Sequence, residues 1–374
     1  MRTTQSLLAL VPSARIGFVA VAPLAMRSTF AVRSSCVALL ALVALFAAAD
    51  TCAGDPHYHV ASQLPLEGDA NFDDLRVDSS GRVFVTRDAF VAVVDRAGTH
   101  LAGTVPDTPG AHSVAFDEDA HRGYISAGRA SNVVVFDTKT LARITDIAST
   151  GDNPDAIVFD AATQRVVAFN GRGRNATVID AKTNRVIGTI VLDAKPEFAV
   201  SDGRGRVYVN LEDANAIALI DIRALTVLAR WPIDGCEGPT GLAFDRANQR
   251  LFTACGNRVM AVVEAHTGRV VTTLPIGAFV DGAAFDPGKQ LAFASAGDGT
   301  LTIVHEDAPD QFRVVQTLAT QRGARTMALD ERSHRVYVAA ALYVETGPSP
   351  DEPTPATPRF RTVPGTFRLL VIEP

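Results

Sequence analysis

The chain is 374 residues long, 47% hydrophobic and 20% charged, which is enough for one large or two ordinary domains with their own cores. It carries 35 basic residues against 41 acidic ones, a net charge of −6, which argues against nucleic acid or any other polyanion held by bulk attraction. An ordinary apolar fraction with so modest a charge also excludes intrinsic disorder.

Residues 1–53 differ in kind from the rest, with no lysine, four arginines (Arg2, Arg15, Arg27, Arg33) and one acid, Asp50. From Met26 a short basic stretch leads into an apolar run at residues 36–49 and then into small residues suited to signal peptidase at 47–49 or 51–53. That order predicts a secretory signal, with Met26 as an alternative start. The apolar run of 14 residues falls short of the roughly 20 that a spanning helix needs, so the segment is read as cleaved rather than kept as an anchor. Losing those four arginines and one acid leaves a mature chain of net charge −9. It is expected to be exported, periplasmic or secreted, without a transmembrane segment.

Past residue 70 one unit recurs: an apolar stretch ending in Asp, a polar turn, an apolar strand, a polar gap, an apolar strand ending in an acid, and a last strand. The markers are Asp78, Asp117, Asp160, Asp202, Asp245, Asp286 and Asp330, spaced by 39 to 44 residues. A period near 42 built of short β-rich runs, with no long helical periodicity, predicts propeller blades rather than a helical solenoid. The second run of each unit is regular, as in RVFVT (82–86), RVVAF (165–169), RVYVN (206–210) and RVYVA (335–339), and its Val, Phe and Tyr suit buried pleated strands. The predicted fold is all-β, one seven-bladed β-propeller over residues 54–374 with four-stranded antiparallel blades near 72–106, 110–150, 153–192, 195–233, 238–276, 279–318 and 323–374. The last unit stops after its third strand, and an orphan apolar segment, HVASQLPL at 59–66, precedes the first. Placing that segment beside the C-terminal strand closes the ring and removes two free sheet edges.

With these runs, and with VIDAKTNRVIGTI, GPTGLAFD, VDGAAFD and GARTMALD, residues 57–374 resemble the bacterial YVTN-repeat, YncE-like β-propeller family. The resemblance implies the fold more firmly than an activity: members are mostly described as propellers of unknown or binding function, and fold relatives include lactonases and quinoprotein-like domains.

A residue present in every unit serves the unit, while one that varies at an equivalent position is free to serve a ligand. The marker aspartates open turns, where a carboxylate accepts backbone N–H groups, and the acids closing the third strands (Asp95, Asp137, Asp180, Asp221, Glu264) are read the same way. Five residues before each marker, where the innermost strand enters the channel, stand Asp73, His112, Asp155, Glu197, Thr240, Asp281 and Arg325. This ring is either a solvated rim neutralised by Arg325 or a ligand site. Clustered carboxylates call for a cation, a shared proton or an arginine, and Asp73, His112, Asp155, Glu197 and Asp281 are the candidate ligands for a divalent metal such as Ca²⁺. On the same face the loops between second and third strands carry Arg87, Arg129, Arg172 and Arg174 as candidate anion contacts. The equivalent loop of the seventh blade, about 342–366, is long and holds six prolines (Pro348, Pro350, Pro353, Pro355, Pro358, Pro364), which predicts a lid or flap over that face.

Cys236, in the loop entering the fifth blade, and Cys255, at the far end of its second strand, belong at one rim, and in an exported protein they are expected to form a disulfide. CxxCH, paired CxxC, GxSxG and GxxxxGK[ST] are all absent from the sequence, and a single tryptophan, Trp231, speaks against a quinone cofactor. The expected function is therefore a monomeric, non-enzymatic scaffold that binds a protein, peptide or small molecule through the channel-mouth face, with no cofactor. The alternative is a lactonase-like hydrolase whose metal at the mouth polarises a carbonyl or activates water.

Overall fold

The computed structural model describes residues 57–67, 71–346 and 359–374. The expected signal segment, residues 1–53, lies outside them, as does most of the proline-bearing loop. Seven four-stranded antiparallel sheets form the propeller. The innermost strands are Phe72–Val77, Ala111–Asp117, Pro154–Asp160, Pro196–Ser201, Pro239–Asp245, Val280–Asp286 and Thr326–Asp330. Each neighbours the next, and the last returns to the first. In the seventh blade the order from the outside is His59–Pro65, Arg368–Glu373, Arg335–Ala340, Thr326–Asp330, with His59 opposite Glu373 and Pro65 opposite Arg368. The N-terminal strand therefore closes the ring, as the missing fourth strand predicts.

Pleating divides each second strand between two neighbours, because successive side chains point to opposite faces. In Arg206–Leu211, Val207 and Val209 pack against the third blade, while Tyr208 packs against the fifth. The described residues form seven such apolar clusters, one at every junction between successive blades, including the junction of the last with the first. The core is thus a closed band between sheets rather than a single centre.

The repeated polar residues act as the sequence suggests. Asp78 Oδ1 accepts from the backbone N–H of Ser80 and Arg82 at 3.0 and 2.8 Å, and Asp245 accepts from Ala247 and Asn248 at 2.9 and 3.0 Å. The arginine opening the second strand ties blades together at the face away from the strand entries. Arg82 Nη2 donates to Thr138 O and Arg122 Nη1 to Ala181 O, both at 2.7 Å. Arg165 Nη1 donates to Ile222 O, and Arg250 Nε to Pro309 O at 2.6 Å. At the junction of the last blade with the first, Tyr337 Oη takes this part, donating to Arg96 O at 2.9 Å. Cys236 and Cys255 form a disulfide with Cα atoms 5.4 Å apart. Among the described residues no helix is long and apolar enough to cross a membrane.

Candidate functional site

The seven mouth residues come from equivalent places: six are the second residue of an innermost strand, and Arg325 directly precedes the seventh. In the first six blades the pairing of the innermost strand shifts register within its first residues, for example between Pro154 and Ile157 and between Pro196 and Ala199. Such bulges re-aim side chains, and here they bear on the ring positions. The preceding blade then fixes the carbonyls of several ring residues from one recurring position of its second strand. Thr86 Oγ1 donates to His112 O at 3.0 Å, Ser126 Oγ to Asp155 O, Asn210 Nδ2 to Thr240 O at 2.8 Å, and Ser295 Oγ to Arg325 O at 2.5 Å.

All seven side chains line one cavity of about 340 Å³, together with Asp74, Lys195, Glu212, Phe198 and Phe279. His112 Nδ1 pairs with Asp73 Oδ2 and lies 3.7 Å from Asp155 Oδ1. Burial alone would lower the His112 pKa, but the Asp73 hydrogen bond, the Asp155 charge and a hydrogen bond with Asn153 together raise it to about 9. The ring is therefore an imidazolium at neutral pH. Arg325 Nε stands 3.3 Å from Asp281 Oδ2, and its Nη2 stands 3.9 Å from Asp73 Oδ1. Lys195 Nζ bridges Glu197 Oε1, at 2.6 Å, and Glu212.

Three cations and six carboxylates line the cavity, with Arg76 paired to Asp74 from outside the lining, and burial together with mutual repulsion raises several of these acids. Burial pushes Asp281 up to about 7 against the pull of Arg325, with Asp73 and Asp155 adding repulsion. Burial and the Asp155 charge raise Glu197, which Lys195 only partly offsets. Asp155 is raised by burial despite His112. Asp74, fully enclosed, is raised by burial although Arg76 at 2.8 Å and Ser113 at 2.6 Å stabilise its charge.

One oxygen each of Asp73 and Asp155 and one imidazole nitrogen of His112 lie within 4.8 Å of one another. A set of one nitrogen and two oxygen donors suits a borderline transition metal better than Ca²⁺, which prefers oxygen ligands throughout. The His112 proton would have to leave for the nitrogen to serve.

The loop arginines divide. Arg129 is exposed and pairs with Asp88 of the preceding blade at 2.7 Å, and Arg174 pairs with Asp213 of the next at 2.5 Å. Arg172 is exposed. Arg87 departs from the expectation of an anion contact: it is 1% exposed, its guanidinium lies 4.1 Å from the centroid of Phe367, and its Nε donates to Asn71 O at 2.9 Å. It faces the junction of the first and last blades, not solvent. The long loop of the seventh blade rises as a two-stranded stem, Tyr343–Thr346 with Arg359–Thr362. Tyr343, at its base, lies within electrostatic reach of Arg325, Asp281 and Asp73, so the stem starts at the rim of the cavity.

Lys195, Glu212, Asp74 and Phe279 are site residues that the repeat analysis does not reach. Lys195 and Phe279 share one repeat position, seven residues before the markers Asp202 and Asp286, and Glu212 lies in the loop after a second strand. Asp74 adjoins a ring position, and the DD pair at 73–74 was its only signal. Phe279 is 73% exposed with φ +59, a backbone region that bulky residues seldom occupy.

No family model matches the chain, and no curated protein matches it in sequence. Solved structures do match in shape. A chain of Kuenenia stuttgartiensis hydrazine synthase superimposes with a TM-score of 0.65 at 15% identity, covering 74% of this chain and 94% of that one. A chain of a mitotic checkpoint complex superimposes with a TM-score of 0.67 at 15% identity, covering 76% and 90%. The chain has a seven-bladed β-propeller fold. At this identity the likeness extends to the propeller fold alone.

Proposed function

We propose that the protein is an exported, YncE-like propeller that works as a binding scaffold and takes the cationic group of a ligand into the channel mouth. The observation that carries this reading is the excess of carboxylates, six lining the cavity against three lining cations with Arg76 paired to Asp74 from outside the lining, since a bound cation relieves carboxylates that burial otherwise drives toward protonation. Phe279 supports it with an exposed aromatic face at the cavity, suited to the hydrocarbon or the positive charge of an amine. The ligand class is thus an organic amine or a lysine or arginine side chain presented by a protein or peptide. Calorimetric titration with spermidine tests it. Binding is expected for the native chain and should weaken about tenfold or more in Glu197→Gln, by loss of one charge-assisted contact. Absence of binding, or equal binding by the variant, contradicts the proposal.

A second reading, a metal-dependent hydrolase, is favoured by the convergence of Asp73, His112 and Asp155. Stoichiometric transition metal in the purified protein that is lost in Asp155→Ala supports it, and metal-free protein removes it.

A further inference from the structure

On the face opposite the mouth, the junction of the fourth and fifth blades lacks a bond that most other junctions have. The arginines of the first, second, third and fifth blades each reach a carbonyl just past the next blade's third strand, and Tyr337 does so at the ring closure. The matching acceptor in the fifth blade is Ala265 O. Among the described residues neither Arg206 nor Tyr208, which stand where those donors stand, bonds to it. The gap opens into a cavity of about 740 Å³ lined by Arg204, Arg206, Arg223, Arg246 and His266.

The charge of this groove is opposite to that of the protein. Four guanidinium groups face two carboxylates, Asp202 and Asp221, in a chain of net charge −6. Both acids already serve their own turns: Asp202 Oδ1 accepts from the backbone of Arg204 and Arg206 at 2.7 and 3.0 Å, and Asp221 Oδ1 from that of Arg223 and Ala224 at 2.8 and 3.0 Å. Two of the arginines are anchored, Arg223 Nη1 on Arg204 O at 2.6 Å and Arg246 Nη2 on Ser201 O at 2.7 Å. The guanidinium groups of Arg204 and Arg206 make no hydrogen bond or ion pair among the described residues. Forked donors of fixed charge match the geometry of phosphate-type oxyanions better than they match water.

We infer that this groove binds a multiply charged phosphate-type oxyanion through Arg204, Arg206, Arg223 and Arg246. The inference is independent of the reading of the mouth, since it concerns the other end of the molecule. Inorganic pyrophosphate is the soluble probe, and phosphatidylcholine vesicles containing phosphatidic acid present the same group on a lipid. Calorimetry with pyrophosphate is expected to show binding that falls at least tenfold in the double variant R204Q/R206Q and is unchanged in R258Q, at an exposed position on the mouth face. Both altered positions are exposed, so the variants are expected to melt with the native protein. Binding of pyrophosphate assigns a free ligand, whereas co-sedimentation with the vesicles alone, lost in the double variant, assigns a headgroup. Failure to bind either probe, or equal binding by native protein and R204Q/R206Q, overturns the inference.

Discussion

Glu306 stands one place past the register position of the acids that close other third strands, a position held in the sixth blade by His305, and it behaves differently from those acids because each responds to its own surroundings. The backbone N–H groups of Thr140 and Thr183 hold Asp137 and Asp180 below the usual carboxylate range. Glu306 is 1% exposed, and burial, with Asp245 close by, raises it to about 7 against the 3.1 Å hydrogen bond from Asn248. Because the folded state holds the proton more tightly than the unfolded chain, the contribution is complete below the unfolded value near 4.5 and is lost as pH rises through about 7. Glu306→Gln removes the charge and keeps an acceptor for Asn248. It should stabilise the protein at pH 8 by on the order of 2 kcal/mol and leave it almost unchanged near pH 4.5. Melting curves at the two pH values check this, and equal shifts at both would refute it. The repeat made the structural roles of Asp78 and Asp245 legible from sequence. It could not reveal that Arg87 is buried, because the ring covering that guanidinium belongs to Phe367, at the other end of the chain.

Among the elements, the innermost strands carry most of what the sequence disclosed about the site, since a fixed offset from each marker aspartate located all seven ring residues. Lys195 stands two residues before Glu197 as Phe279 stands before Asp281, so its place is periodic while its residue type is not; Glu212 lies in the loop after a second strand, and only the assembled cavity brings it to Lys195. The fifth blade is stapled by the disulfide between Cys236 and Cys255, which are separated by 19 positions. A cross-link across a loop of that size is worth about 3 kcal/mol in the chain-entropy model. The double variant Cys236→Ser/Cys255→Ser should therefore melt at a lower temperature. Under a reducing agent the native protein should fall toward it, while the variant stays put. A native melting point indifferent to reductant would contradict a stabilising role.

For the whole molecule, the closed band of seven apolar clusters means that stability is shared around the ring and depends on its closure. A chain starting at residue 67 loses the strand His59–Pro65 together with the buried Tyr58 and Leu66. It uncovers the backbone of Arg368–Glu373 as a bare sheet edge. The expected outcome is a lower melting temperature and concentration-dependent self-association by light scattering. A monomer of native stability would show that the seventh blade does not need its outer strand. Closure also sets an order on biosynthesis. Gln63 and its partner Arg368 are 305 positions apart, so the first strand made waits for nearly all the others before it can pair. Until then the nascent chain carries an unpaired, sticky seam that is open to association with other chains.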